Sequence, residues 1–168
     1  NLKPDTSNYA FMTLHRPSNV DSDSSLNEIF SALNKIAEDL PIFFPVHPRT
    51  SKMIEKFKIK LSENIHRLPP LGFRESLFLW KDAKLVLTDS GGLQEETTAL
   101  GVPCLTLRDN TERPITMELG TNVLAGCSQD SILKAYEAIK NSKTKAINIP
   151  PKWDGHASKR IWKALLAV

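Results

Sequence analysis

The residues best placed to do chemistry lie between Lys84 and Thr98, in the run KLVLTDSGGLQEETT. Leu85, Val86 and Leu87 have the continuous apolar character of a buried parallel strand. Ser90, Gly91 and Gly92 follow with almost no side-chain bulk, and Gln94, Glu95 and Glu96 open a helical pattern. A strand, a tight turn and a helix start make an anion site, because the first N–H groups of a helix have no partner within it. The Gly-Gly pair equally serves a tight turn with no ligand. Two adjacent helical carboxylates diverge by about 100°, so only one of Glu95 and Glu96 can face such a ligand well.

Other candidates fall at strand ends. His15 and His47 each follow an apolar run and precede a proline within two residues. An imidazole there can move protons near neutral pH, donate to phosphate when charged, or serve structure alone. Arg113, in an Arg-Pro step, offers a guanidinium that suits phosphate bidentately. A surface ion pair with Glu112 or Asp109 is its alternative, and Arg108 suits a solubilising role. There is no HExxH, CxxC or G-x-S-x-G pattern, so neither a metal centre nor a nucleophile elbow is expected. No cofactor is expected.

These groups need a scaffold that gathers them. Strands are expected near 9–14, 42–46, 65–68, 84–88, 102–107 and 122–125. Helices are expected after Ser25, with Glu28 completing a capping box, from about 48 to 58, 74–82, after Gly92 to Gly101 as C-cap, after Pro114, and over 129–141. A Lys- and Pro-rich linker at 141–152 leads to a closing helical segment at 153–168, where Trp153 and Trp162 are expected to pack. Strands alternating with helices imply a parallel sheet wound on both faces, and ligands bind such sheets beyond the carboxyl ends of the strands. His15, His47, Asp89-Ser90 and Arg108 should meet at that edge. Residues alone thus indicate an α/β domain that binds a phosphorylated, hydroxyl-bearing small ligand.

Composition is compatible with that class. The chain has 168 residues, 40% of them hydrophobic and 24% charged, with a net charge of +3. The basic residues are scattered, which argues against nucleic acid or an anionic membrane as partner. No apolar run approaches the ~18 residues of a membrane span, no signal pattern opens the chain, and Cys104 and Cys127 form no redox or metal motif. A cytoplasmic setting is expected, with Cys104 as a buried small hydrophobe.

Several motifs are familiar in combination: His15-Arg16-Pro17-Ser18-Asn19, Pro45-Val46-His47-Pro48, Thr88-Asp89-Ser90-Gly91-Gly92-Leu93-Gln94-Glu95-Glu96, Leu100-Gly101-Val102-Pro103, Arg108 to Pro114 (RDNTERP) and Trp153-Asp154-Gly155. In this order the chain resembles the UDP-N-acetylglucosamine 2-epimerases along nearly its whole length. The match is to the C-terminal half of that family's two-domain, GT-B-type fold, a Rossmann-like doubly wound sheet. The resemblance implies that Ser90, Gly91 and Gly92 hold the diphosphate of UDP with Arg113, that Glu96 takes the ribose hydroxyls, and that His15 is catalytic. Arg16, His47, Phe73 and Glu95 would support the site or a second one. It implies a UDP-sugar as substrate, and an N-terminal domain of the same polypeptide that carries the catalytic carboxylates and is absent from this chain. The full-length protein could pair as a homodimer. Because Asn1 is not a Met, a piece cut from something longer is expected.

The pattern also departs from the family. Ser18 and Ile115 stand where Glu is common, His47-Pro48-Arg49 replaces His-Leu-Asn-Pro, and Ser76 stands where some members place an aromatic near uracil. The first three put a regulatory UDP-sugar site in question more than the UDP site. A free-standing UDP-sugar-binding module and half of a GT-B glycosyltransferase are the alternatives.

Overall fold

The computed structural model describes residues 8–142 and 149–167. Six strands form one sheet in the order β3-β2-β1-β4-β5-β6: β1 Ala10–Thr13, β2 Ile42–Pro45, β3 Ile65–Leu68, β4 Leu85–Thr88, β5 Cys104–Thr106 and β6 Asn122–Leu124. Every pairing is parallel. The order grows outward in both directions from β1 and β4, so successive helices must cover opposite faces. The crossover between β1 and β4 opens a crevice at their carboxyl ends.

Alternation along the strands sorts the core into two layers. Ala10, Met12, Leu85, Leu87 and Leu105 face one way, into a cluster with Leu26, Ile29, Phe30, Leu33 and Ile36 of α2 (Asp23–Asp39), Ile54 of α3 (Pro48–Lys56) and Ile132 of α7 (Gln129–Asn141). Phe11, Val86 and Cys104 face the other way, against Leu79 and Trp80 of α4 (Phe73–Trp80) and Leu93 of α5 (Gly91–Leu100). Tyr9 belongs to that second layer and donates its hydroxyl to the Leu79 carbonyl at 2.5 Å. Cys104 is the buried hydrophobe its context suggests, its thiol pushed up to about 12 by burial.

Element ends follow local chemistry. Gly101 ends α5 at φ 73°, a left-handed conformation that favours glycine. Pro114 begins the short α6 (Pro114–Glu118) where its missing N–H is harmless. Helix α7 occupies 129–141 as expected. The start of α2 differs from expectation. Residues 17–20 form a one-turn helix, α1 (Pro17–Val20), with Pro17 at its first position. Ser22, not Ser25, then caps α2 by accepting from the Ser25 N–H. Glu28 closes no capping box: it reaches across to accept from the Gln129 N–H at 2.8 Å, capping α7 instead. A first helical N–H of another element is as good a partner for a carboxylate as one within its own turn.

The carboxyl-terminal part also differs. Asn141 still belongs to α7 and Ser142 caps it, while residues 143–148 of the expected linker lie outside the described residues. The closing helix, α8, runs from Ala157 to Leu165 and buries no side chain. Trp162 is 64% exposed there, against the expectation that it packs, and Ile161, Leu165 and Leu166 are exposed beside it. No helix among the described residues is long and apolar enough to cross a membrane.

Candidate functional site

Strand β4 delivers the polar edge of the sheet. Thr88 ends it fully buried, with its Oγ1 accepting from the Ser90 N–H at 3.0 Å and lying 2.7 Å from the Thr13 hydroxyl of β1. Ser90 is the N-cap of α5, with extended backbone and its Oγ accepting from the Leu93 N–H at 3.5 Å. Gly91 and Gly92 are therefore the first two helical residues, whose N–H groups have no intrahelical acceptor. A Cβ on Gly92 would meet nothing closer than 4.0 Å, so the approach to that turn is open.

A cleft of about 330 Å³ lies beside this turn. Its walls bring together Thr13, Leu14 and His15 at the end of β1, Pro45 and His47 at the end of β2, Phe73, Ser76 and Trp80 of α4, the Ser90 cap, and Gly92, Leu93 and Glu96 of α5. His15, His47, Phe73, Ser90, Gly92 and Glu96, spread over 82 positions of sequence, thus share one cavity. The imidazoles of His15 and His47 stand 6.1 Å apart, centroid to centroid. Phe73 is 67% exposed at the mouth, one helical turn before Ser76. Glu96 points into the cleft and its carboxyl is raised, chiefly by burial and secondarily by the neighbouring charge of Glu95.

Arg16, Gly91, Glu95 and Arg113 are not among the cleft walls. Glu95 turns to Arg113, whose Nε lies 3.0 Å from its Oε1. That nitrogen is buried and makes no hydrogen bond, so the contact is an ion pair with poor alignment. The expected alternatives for Arg113, Glu112 and Asp109, are not its carboxylate partners. Glu112 is occupied: its Oε1 accepts from Arg16 Nη2 at 3.0 Å and its Oε2 from Arg108 Nη1 at 2.7 Å. Arg108 is accordingly no solubilising residue, its side chain being only 12% exposed. A Cβ on Gly91 would lie 2.7 Å from Glu112 Oε1, which places that carboxylate over the first turn of α5. Its own backbone N–H and the Arg108 guanidinium hold it down at about 2.

Two further residues organise the site: Asp89, which the sequence places at this strand end without a role, and Gln94. Asp89 is fully buried, and its Oδ2 accepts from the backbone N–H groups of His15 and Arg16 at 2.9 and 2.7 Å. His15 Nδ1 stands 3.0 Å from its other oxygen. The His15 imidazole is raised as a result, chiefly by the Asp89 carboxylate, against desolvation and the repulsion of Arg16. Gln94, also fully buried, accepts from Thr111 Oγ1 at 2.6 Å and Asn122 Nδ2 at 3.2 Å while donating to the Ser90 carbonyl at 3.1 Å. It fastens the 108–113 loop and β6 to the start of α5. A polar residue in a helix's first turn is ordinarily solvated, so only its partners reveal the role.

An all-parallel sheet in 3-2-1-4-5-6 order, with a largely apolar cleft at its crossover that carries His15, His47 and Glu96, defines a Rossmann-like α/β architecture. The family model described as UDP-N-acetylglucosamine 2-epimerase matches residues 2–166, and the chain belongs to that family. It is 44% identical over 163 residues to a UDP-N-acetylglucosamine 2-epimerase of Methanocaldococcus jannaschii, with 94% of this chain and 44% of the relative covered. It is 40% identical over 128 residues to the UDP-2,3-diacetamido-2,3-dideoxy-D-glucuronate 2-epimerase of Pseudomonas aeruginosa, covering 76% of this chain and 36% of the relative. The crystal structure of the M. jannaschii UDP-GlcNAc 2-epimerase in complex with UDP-GlcNAc and UDP superimposes with a TM-score of 0.84 at 43% identity, covering 95% of this chain and 45% of that one. The chain therefore spans less than half the length of these relatives.

Proposed function

We propose that this chain is the UDP-binding half of a UDP-N-acetylglucosamine 2-epimerase. The observation that carries the reading is the cleft that joins the first turn of α5, open at Gly92, to Glu96, His15 and Phe73. The turn suits a diphosphate, Glu96 suits ribose hydroxyls, and Phe73 supplies an aromatic face for uracil where Ser76 cannot. Arg113 is the cation for the diphosphate. It is held back by an ion pair with Glu95 whose two side chains are 41% and 40% exposed and by a long 3.4 Å hydrogen bond from Nη1 to the Glu112 carbonyl, and such exposed pairs are worth about 0–1 kcal/mol. The names of the M. jannaschii and P. aeruginosa relatives share UDP and 2-epimerisation but differ in the sugar, which suits a half that recognises UDP.

The reaction is interconversion of UDP-N-acetylglucosamine and UDP-N-acetylmannosamine. UDP leaves with the C2 proton removed, a glycal forms, and UDP adds back at C1 as a proton is returned to the opposite face of C2. Carboxylates that handle that proton belong to a second half of the same polypeptide. The exposed apolar side of α8, with Ile161, Trp162 and Leu165, supports a second half that covers it. A reducing, cytoplasmic location suits the free Cys104 and Cys127. Isothermal titration of the 168-residue chain with UDP and an epimerisation assay test the reading together. The expected result is UDP binding without turnover; absence of UDP binding by the folded chain overturns it.

Within that site, Glu96→Ala and Arg113→Ala are each expected to weaken UDP binding by about 1–3 kcal/mol, the loss of a charge-assisted hydrogen bond. Calorimetry that gives unchanged affinity in both folded variants removes them from the site. The pH dependence has a definite sign. A carboxylate accepts ribose hydroxyls best when ionised, and the Glu96 carboxyl is raised in the unliganded protein. UDP-sugar affinity should therefore fall as pH is lowered through that raised value, with proton release on binding at and below it and none well above it. In Glu96→Gln this limb of the affinity profile should disappear.

A further inference from the structure

Asp89 buries a negative charge completely beside the cleft, and its surroundings say what the charge is for. Its Oδ2 is saturated by the N–H groups of His15 and Arg16, with Asn19 Nδ2 more distant at 3.4 Å. An asparagine oxygen would serve those three donors equally well, without the desolvation cost that an ionised carboxylate carries on leaving water. The second oxygen, Oδ1, is buried and makes no aligned hydrogen bond, and His15 Nδ1 stands 3.0 Å from it. A carboxylate can only accept, so a small turn of the ring that completes this contact needs the proton on Nδ1. The Arg16 side chain also binds this segment, donating through Nε to the Asp89 carbonyl at 2.8 Å. Backbone, guanidinium and carboxylate together hold the imidazole at one place on the cleft wall.

We propose that Asp89 is the positioning residue for His15: it fixes the Nδ1-protonated form of the ring and leaves Nε2 as the nitrogen available to a ligand in the cleft. This deepens the reading of the cleft as a UDP-sugar site, but the form of the ring can be measured apart from it. The charged and titratable groups that face His15 are Asp89 from the β4–α5 turn, Arg16 from its own segment and His47 after β2, with Glu96 of α5 on the same cleft. Asp89 is the carboxylate in contact. A charged ring directs an Nε2–H at an anionic oxygen; a neutral one offers a lone pair at the same point. Either use needs the same orientation, since the ring nitrogens are distinguished by the partner each one has.

The test compares the wild-type chain with Asp89→Asn by nitrogen-15 spectroscopy of the imidazoles across pH, with His15→Asn used to assign the His15 signals. In the wild type, the neutral His15 ring is expected with its proton on Nδ1 and a titration midpoint above that of an ordinary histidine. In Asp89→Asn the amide oxygen stays on the two backbone donors and the amide NH2 turns toward Nδ1. The neutral ring should then switch to the Nε2-protonated form and its midpoint should fall. A wild-type ring protonated on Nε2 overturns the proposal, and this holds even if Asp89→Asn does not fold. A folded Asp89→Asn with unchanged form and midpoint overturns it as well. In the full-length epimerase, kcat in Asp89→Asn should drop about 100-fold or more, the scale of a lost general acid or base, with a much smaller change in KM. Absence of epimerase activity in the wild type counts against the UDP-sugar reading and leaves the spectroscopic result standing.

Discussion

Trp80→Ala is expected to destabilise the chain by about 3–5 kcal/mol, the range for removing a fully buried large aromatic. The indole is 2% exposed and packs in the layer that holds Tyr9, Phe11, Val86 and Leu93. It also forms part of the cleft wall, so the loss is structural and functional at once. Removing it leaves a void between α4 and the sheet next to the Tyr9 hydroxyl bond to Leu79. Urea unfolding followed by circular dichroism measures the effect as a lower midpoint at nearly constant slope. Trp80→Phe should lose distinctly less, because an aromatic ring still fills most of the space. A midpoint unchanged in Trp80→Ala would mean that this layer does not hold α4 to the sheet.

Gly120→Ala is the second large effect, about 1–3 kcal/mol of destabilisation from overpacking. A Cβ there would come within 2.4 Å of Thr98 side-chain atoms and 2.5 Å of the Thr116 carbonyl. Thr98 and Thr116 are both fully buried, and one of the three contacts is backbone, so no flexible side chain can move aside. Relief requires α6 to shift relative to α5. Thr116 also donates its hydroxyl to the Arg113 carbonyl at 2.7 Å and accepts from Asn122 Nδ2 at 3.0 Å, so that shift would be passed to the Arg113 end of the 108–113 loop. Thermal unfolding should show a lower midpoint, and UDP titration a weaker affinity than wild type at a temperature where both are folded. A destabilised variant that binds UDP normally would show that α6 does not set the position of the cation.

Much of this was legible in the chain. Apolar runs such as Leu85-Val86-Leu87 mark strands because a parallel sheet covered on both faces needs no alternation. Gly101 and Pro114 mark helix ends because few backbone conformations suit them. Strand ends gave His15, His47 and Ser90 as neighbours across the crossover, and their shared cleft is where the sheet rule puts it. What stayed hidden depends on pairing at a distance. Glu28 looks like a local cap from spacing, yet its partner Gln129 is 101 positions away. Arg113 has two acidic neighbours in sequence and pairs with neither, because the fold sets Glu95 closer. Asp89 falls in a polar triplet after a strand, and only its burial shows that it holds the preceding loop of another strand. Trp162 has the composition of a core residue, and its exposure reflects a helix that buries none of its side chains among the described residues.

Glu112 changes what ligand entry means. Its carboxylate sits over the first turn of α5 with Arg16 and Arg108 on either oxygen, so the cradle is not bare positive charge. A phosphate settling over Gly91 must replace an anion that the protein already carries there. Binding is then an exchange of one negative group for another across the same two guanidinium groups, and the net charge neutralised is smaller than the count of nearby arginines suggests. Screening by salt acts on both sides of such an exchange. Affinity for a diphosphate should accordingly vary only weakly with ionic strength, and discrimination should come from the shape of the turn and the cleft beside it.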